Sequence, residues 1–398
     1  MALDLTIEKL VYGGEGLSRV DGQVVFTPFV LPGELVHVAS PSSKKHAQRA
    51  NLIRVTQPSD DRITPRCPIF GECGGCHYQH ADYPAQLRLK RGILAETLRR
   101  GAKIEFDEAR IAVISGDAWG YRNRTQFHIE NGKVGYRQMR SQRLIPAAEC
   151  PISSPKINEA LRKLNRMAKD RRWPKFVTSL EVFTDEVQVQ WNVLEAGQPV
   201  AKHFFDWLAA EVPGTVPGAL DYEFNGDVFS IAGNSFFQVN RSLVGCLADL
   251  AIGEESGATA WDLYAGAGLF SVPLARKFGQ VTAVESGRAA DDLQRNTRRA
   301  GVDVESIRQN SEAFLIEANA APNFVLADPP RAGLGSPAVT RLLELAPKKI
   351  VIVACDPATL ARDLAGLKER YEIERLAMVD LFPQTFHIET IIGLVRRD

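Results

Sequence analysis

Beyond about residue 236 the chain alternates apolar runs with helical stretches, and this rhythm restricts its fold more than any other feature. The runs are TAWDLY, QVTAVE, VESIRQ, NFVLAD and KKIVIVAC, followed by EIERLAMVDLF and IETIIGLVRR. Helical stretches separate the first five, as in a doubly wound parallel sheet of the α/β class. The last two have no helix between them and predict a terminal hairpin. Ligands of such sheets bind beyond the carboxyl ends of the strands, so the residues that close these runs come first in a search for chemistry.

The front of the chain reads differently. With 398 residues, two or three domains are expected. Residues 1–57 hold short, closely spaced strands with an Asp21-Gly22 hairpin turn, which predicts a small OB-like β-barrel. Residues 58–235 are mixed α+β: a Gln-, Arg- and Lys-rich helix at 84–100 (up to 103 at most, able to pack on the last domain), an Asn131-Gly132 hairpin, the helix SSPKINEALRKLNRMAKD and the paired strands of SLEVFTDEVQVQWNV. Residues 236–398 are the parallel-sheet domain.

The formal charge is zero, yet residues 1–175 carry 29 Lys and Arg against 18 Asp and Glu, a net of +11, balanced by −11 in the remainder. Three basic runs, at 44–54, 88–103 and 156–175, favour a polyanion surface over merely solvated helix faces. Arg122, Arg124, Arg137 and Arg140 are candidates for phosphate contact. With 45% hydrophobic and 24% charged residues, no signal-like start and no run of ~18 apolar residues, a soluble cytoplasmic protein is expected, monomeric and without a membrane partner.

WDLYAGAGLFSVPLA is a strand, a small turn at Gly266 and Gly268, and a helix; such a turn admits a ligand where a β-carbon would block it. The dinucleotide fingerprint needs Gly or Ala at 271, which is Ser. Glu285 ends the next strand, placed to bond ribose hydroxyls. Acid, glycine turn and acid at this spacing resemble the S-adenosylmethionine site of class I methyltransferases, whose sheet is Rossmann-like; Asn310 stands where those folds touch adenine. ADPPRAGL places Asp328 and Arg331 at the fourth strand end.

Cys355 closes the fifth strand before a helix opened by Pro357. A helix N-terminus lowers a thiol's pKa, which predicts a nucleophile where a core cysteine is the plainer reading. In a uracil, the substrate that the resemblance named below implies, carbon 5 is too electron-poor to attack a methyl sulfonium, but a thiolate added at carbon 6 makes it nucleophilic. A base must then remove the carbon 5 proton. Glu389, before the final strand, is the candidate. His387 competes, or orients Glu389 from the same face of an extended strand.

CPIFGECGGC sets Cys67, Cys73 and Cys76 at C-x5-C-x2-C, with Cys150 far downstream. Zinc sites usually present two close pairs; three clustered thiols and a remote fourth fit iron–sulfur ligation better, with one more residue in the first gap than plant-type ferredoxins have. Cys246 reads as core.

Together, SFFQVN, DLYAGAGLF, ADPPRAG, CDPATLARDL and FPQTFHIET resemble, in order, the catalytic motifs of the RNA 5-methyluridine methyltransferases, in their iron–sulfur branch acting on 23S ribosomal RNA. GGEGLSRVDGQVVFTPFVLPGE resembles that family's TRAM domain. The resemblance implies Cys355 as nucleophile and Glu389 as proton acceptor, and Gln238, Tyr264, Glu285 and Asp328 in contact with S-adenosylmethionine. It also implies a four-iron (4Fe-4S) cluster on Cys67, Cys73, Cys76 and Cys150, expected to act as a staple that orders the RNA surface. Asp356 stands where relatives usually have Asn, and Leu269 where a polar residue is common. The partner implied is 23S rRNA before or during ribosome assembly, with transfer RNA the alternative. An exocyclic-amine methyltransferase would want an aromatic where Arg331 stands; a non-catalytic iron–sulfur RNA-binding factor would have no use for the thiol and carboxylate.

Overall fold

The computed structural model describes residues 2–40 and 48–398, so part of the basic run at 44–54 lies outside the described residues. Its largest sheet has eight strands. From edge to edge they are Glu305–Ile307, Phe278–Val284, Gly257–Leu263, Phe324–Ala327, Lys349–Ala354, Glu389–Arg396, Tyr371–Val379 and Ala112–Ile114. The first five are parallel and joined by the helices Ser271–Ala275, Ala289–Arg299, Ser311–Glu317 and Gly335–Leu345. Helices cover both faces, which is why Phe324–Ala327 and residues 350–354 are buried throughout and read as unbroken apolar runs. Strand order reverses at Gly257–Leu263, leaving a crevice at the carboxyl ends.

The terminal hairpin does not simply extend the sheet. Glu389–Arg396 inserts between Lys349–Ala354 and Tyr371–Val379, antiparallel to both. Its register pairs Ile352 with Ile392, Val353 with Ile391 and Ala354 with Thr390. One step further along that ladder stand Cys355 and Glu389. Sheet register, rather than loop geometry, therefore sets this thiol beside this carboxyl.

Packing, unlike the change of rhythm in the sequence, does not stop at residue 236. Ala112–Ile114 adds a parallel edge strand to residues 377–379. The hairpin of Leu220–Phe224 and Asp227–Ile231 shares a core with Val272 and Leu326. The helix Tyr83–Ala102, capped by Asp82, buries Leu94, Leu98 and Ala102 against Leu360, Ala361 and Leu364. The approach there is so close that a Cβ on Gly101 would lie 2.7 Å from that of Ala361.

A second sheet of six strands runs Leu144–Pro146, Lys133–Arg137, Arg124–Glu130, Val177–Thr184, Val189–Ala196 and Thr215–Val216. The helix Pro155–Met167, capped by Ser154, packs on it through Ile157, Leu161 and Leu164. The first segment forms two small sheets, Leu3–Thr6 with Leu35–Val38 and Leu52–Gln57, and Lys9–Val11 with Glu15–Val20, Gln23–Pro28 and Gln48–Arg49. Leu5, Ile7, Val25, Val30, Val36 and Val38 form its core. Asp21 and Gly22 turn the hairpin with φ of +49° and +77°, the left-handed pair that tight hairpins need. Among the described residues no helix is long and apolar enough to cross a membrane.

Candidate active site

The carboxyl ends of the parallel strands open into a cavity of about 620 Å³, within the usual range for a small-molecule site. Gln238, Tyr264, Gly266, Glu285, Asn310, Asp328, Cys355 and Glu389 all line it, with Arg331 and His387. Gly266 has φ +55° and nothing within 4 Å of where a Cβ would stand, so the chain is bare toward the cavity there. Glu285 is fixed by two backbone donors, Gly266 N–H at 3.0 Å and Gly287 N–H at 2.6 Å. The Asn310 side-chain oxygen caps the helix Ser311–Glu317, accepting from Glu312 N–H at 2.8 Å.

Two residues of the glycine motif serve other ends. Gly268 does not line the cavity: with φ +92° and a would-be Cβ 3.0 Å from Leu293 Cδ1, it serves helix-to-strand packing. Asp262, the first acid of the motif, is fully buried behind the turn, where it accepts from the Ser271 hydroxyl.

The cavity's electrostatics reverse one expectation. Burial, then Glu389 and Asp328, push the Cys355 thiol up to about 12, with Arg331 opposing them. The following helix does not acidify it, because Asp356 already occupies that N-terminus. Its carboxylate accepts from Ala358 N–H at 2.9 Å and Thr359 N–H at 3.0 Å and adds a further negative charge beside the sulfur. Burial also lifts Asp328 to about 7, and burial with Asp328 holds Glu389 well above the usual carboxylate range. His387 goes the other way: burial, then Arg331, depress it to about 3. It precedes the strand that begins at Glu389, so strand alternation does not apply, and its ring lies 4.3 Å from Phe386. Among the described residues no hydrogen bond joins it to Glu389. A carboxyl of raised pKa is the stronger base of the two.

Comparison with known proteins identifies the family. The pattern that defines the tRNA (Uracil-5-)-methyltransferase family matches residues 316–397. An uncharacterized RNA methyltransferase of Aquifex aeolicus is 34% identical, over 100% of this chain and 99% of its own. The 23S rRNA (uracil(1939)-C(5))-methyltransferase RlmD of Halomonas elongata is 32% identical, over 99% and 90%. The chain belongs to the RNA uracil-C5 methyltransferase family. The crystal structure of Pyrococcus abyssi tRNA (uracil-54, C5)-methyltransferase in complex with S-adenosyl-L-homocysteine shares the fold: it is 23% identical, with a TM-score of 0.76 over 99% of this chain and 100% of that one.

In this RNA uracil-C5 methyltransferase, sequence reasoning missed two aromatic neighbours of the site. Phe236 lines the cavity with 64% of its surface exposed, an unusual state for a large apolar ring. Its signal was its place in SFFQVN, where Phe237 is buried and Phe236 is not. Tyr12, on the turn after Lys9–Val11, points its hydroxyl to Cys355 O at 3.4 Å and sets its ring edge-on to Phe386 at 5.6 Å. Nothing local in YGGEG announces that reach.

The cysteine segment of this methyltransferase lies apart from the cavity. Cys67, Cys73, Cys76 and Cys150 are all free thiols. Burial raises the first three, Cys73 to about 11 and Cys76 to about 12, and the charge of Cys150 acts on each of them, so the four are neighbours. Among the described residues no group of three or more His, Cys, Asp or Glu is arranged to hold a metal ion. Cys246 sits on the helix Val244–Ile252, packed against the core.

Proposed function

We propose that this RNA uracil-C5 methyltransferase modifies a uridine of 23S ribosomal RNA, with Cys355 as nucleophile and Glu389 as proton acceptor. One observation carries the reading: sheet register sets the Cys355 thiol beside the buried Glu389 carboxyl over a single cavity that Asp328 also lines. Cys355, after losing its thiol proton, adds as the thiolate to carbon 6 of the uracil, and the carbon 5–carbon 6 π electrons shift to carbon 5 and the carbon 4 oxygen as an enolate. S-adenosylmethionine, when bound, supplies an electrophilic methyl to carbon 5. Glu389 takes the carbon 5 proton, and the returning electron pair expels the Cys355 sulfur.

Gln238, Tyr264, Gly266, Glu285, Asn310 and Asp328 would hold the donor. The fit rests on the bare backbone at Gly266, the anchored Glu285 carboxylate and an acidic cavity suited to a cation. The ribosomal substrate is supported by the RlmD relative, and transfer RNA is the other substrate a mapping experiment would reveal.

The spacing of the cysteines, three clustered and one remote, fits a four-iron cluster better than zinc, whose sites usually present two close pairs. Four neighbouring thiols, Cys76 buried and the others partly so, offer the all-sulfur donor set such a cluster takes. A cluster there would clip the loop at 67–76 to the segment before the helix Pro155–Met167.

The test is RNA containing 5-fluorouridine, whose carbon 5 carries no removable proton. It is expected to form a denaturation-resistant adduct with the enzyme and S-adenosylmethionine. Turnover by a Cys355→Ala variant would refute the reading. Mass mapping of ribosomal and transfer RNA from a strain lacking the gene identifies the uridine.

A further inference from the structure

A second cavity, about 360 Å³, lies between the cysteine loop and the hairpin of Arg124–Glu130 and Lys133–Arg137. Backbone forms its floor: Gly74 N–H donates to Arg137 O at 3.0 Å and Met139 N–H to Glu72 O at 3.1 Å. A Cβ on Gly74 would stand 3.3 Å from Met139 Cα, so glycine lets the loop lie flat against the strand end. Arg122, His128, Arg137 and Arg140 line the cavity. Arg137 pairs with Glu130 and Arg140 with Glu15, whereas Arg122 has no carboxylate partner among the described residues. Arg124 is excluded: its guanidinium lies 4.1 Å above the Phe183 ring and donates to Ser235 O, inside the protein.

Two buried polar atoms of the lining, His128 Nδ1 and Arg137 Nε, have no hydrogen-bond partner, whereas the Tyr136 hydroxyl turns to Ser153 and Cys150. Buried polar atoms are nearly always paired, so two beside the unpaired charge of Arg122 mark a place for a group brought from outside. The cavity exceeds a bare anion and matches a nucleotide. Its position fits a substrate strand: the charge of Arg122 acts on Cys73 and Cys76 to one side and on His387, in the catalytic cavity, to the other.

We infer that this cavity takes one nucleotide of the substrate RNA by its phosphodiester, with Arg122 as its principal charge. The inference rests on RNA being the substrate, and it makes the cysteine loop the floor of an RNA subsite. Phosphate contacts of this kind position the strand without reading its sequence.

The experiment uses the full chain and a fluorescein-labelled oligouridylate of roughly twenty nucleotides, with Kd measured by anisotropy from about 50 to 200 mM KCl. Removing one phosphate contact to a single strand lowers the log–log salt slope by about 0.7. Arg122→Gln is expected to lose that amount, and exposed Arg140→Gln to lose part of it. Arg122→Lys should keep the slope, as should Arg172→Gln, whose guanidinium pairs with Asp170 and stacks on Trp207 elsewhere. A wild-type slope in both Arg122→Gln and Arg140→Gln overturns the subsite, as does an equal loss in Arg172→Gln. The 5-fluorouridine adduct keeps the two readings apart. An adduct with unchanged slopes defeats only the subsite; altered slopes with no adduct defeat only the methylation chemistry.

Discussion

Replacing Glu389 by Gln separates two roles that the structure gives one carboxyl. Glu389 is the largest charged contributor to the raised pKa of Cys355. It is also the base assigned to the carbon 5 proton. Its loss should therefore make the thiol more acidic while blocking the step that frees it. At pH 8 a thiol of pKa about 12 is ionised to roughly one part in ten thousand. At a pH where Glu389 is ionised, its removal raises that fraction, and alkylation at Cys355, read by peptide mass to exclude the other five cysteines, should accelerate. Turnover should fall by ~10²- to 10⁴-fold, the usual weight of a general base. With ordinary uridine RNA and S-adenosylmethionine, the methylated covalent adduct should then accumulate in the variant and not in the wild type. Near-wild-type turnover, or faster alkylation with no trapped adduct, would refute the assignment of both roles to Glu389.

Burial holds both Asp262 and Asp328 at about 7, above the ~4 of an unfolded chain. A raised carboxyl contributes stability that is intact below the unfolded value and is lost as pH climbs through the folded one. Wild-type stability relative to Asp262→Asn should thus fall between about pH 4 and 7, by at most ~1.4 kcal/mol per pH unit, in urea melts. Lys90 and Asp380 form a buried ion pair at 2.7 Å, so Lys90→Met strands a charge and should cost about 3–5 kcal/mol in the same assay. Phe236→Ala, at an exposed ring, should change stability by less than ~0.5 kcal/mol yet raise the apparent KM for donor or RNA, which steady-state kinetics resolve.

The strand-and-helix alternation after residue 236 was legible because buried parallel strands have to be continuously apolar. Tyr264, Glu285, Asp328 and Cys355 were legible as cavity residues because each directly follows one of those strands, whereas Glu389 opens one. Glu389 and Cys355 are 34 positions apart in a chain whose order gives no hint of the insertion that makes them neighbours. Thiol acidity was misread for a local reason: the residue that caps the helix, Asp356, both consumes its N–H groups and carries the charge that opposes a thiolate. Gly268 was misread because one motif serves two purposes. Gly266 clears space for a ligand, while Gly268 clears space for Leu293.

Least legible is what the front half does for the chemistry. The segment at 380–388, which leads into Glu389, has no helix or strand of its own. Almost every anchor it has comes from residues before 125. Lys90 holds Asp380 and donates to Phe382 O at 3.0 Å. Tyr121 OH donates to Pro383 O at 2.9 Å. Gln384, at φ +68°, is gripped from both sides: Gln86 accepts its N–H, and the N–H groups of His77 and Tyr78 reach its carbonyl at 2.8 and 3.0 Å. Phe386 sits against Tyr12 and His77. His77 and Tyr78 directly follow Cys76, so whatever orders the cysteine loop also orders the strap that aims Glu389. A parallel-sheet domain cut free at residue 236 would keep Cys355 and Glu389 on one ladder but lose the anchors of the strap that leads into Glu389. The proposed catalytic pair is thus reached through a strap held partly by the two residues that follow Cys76.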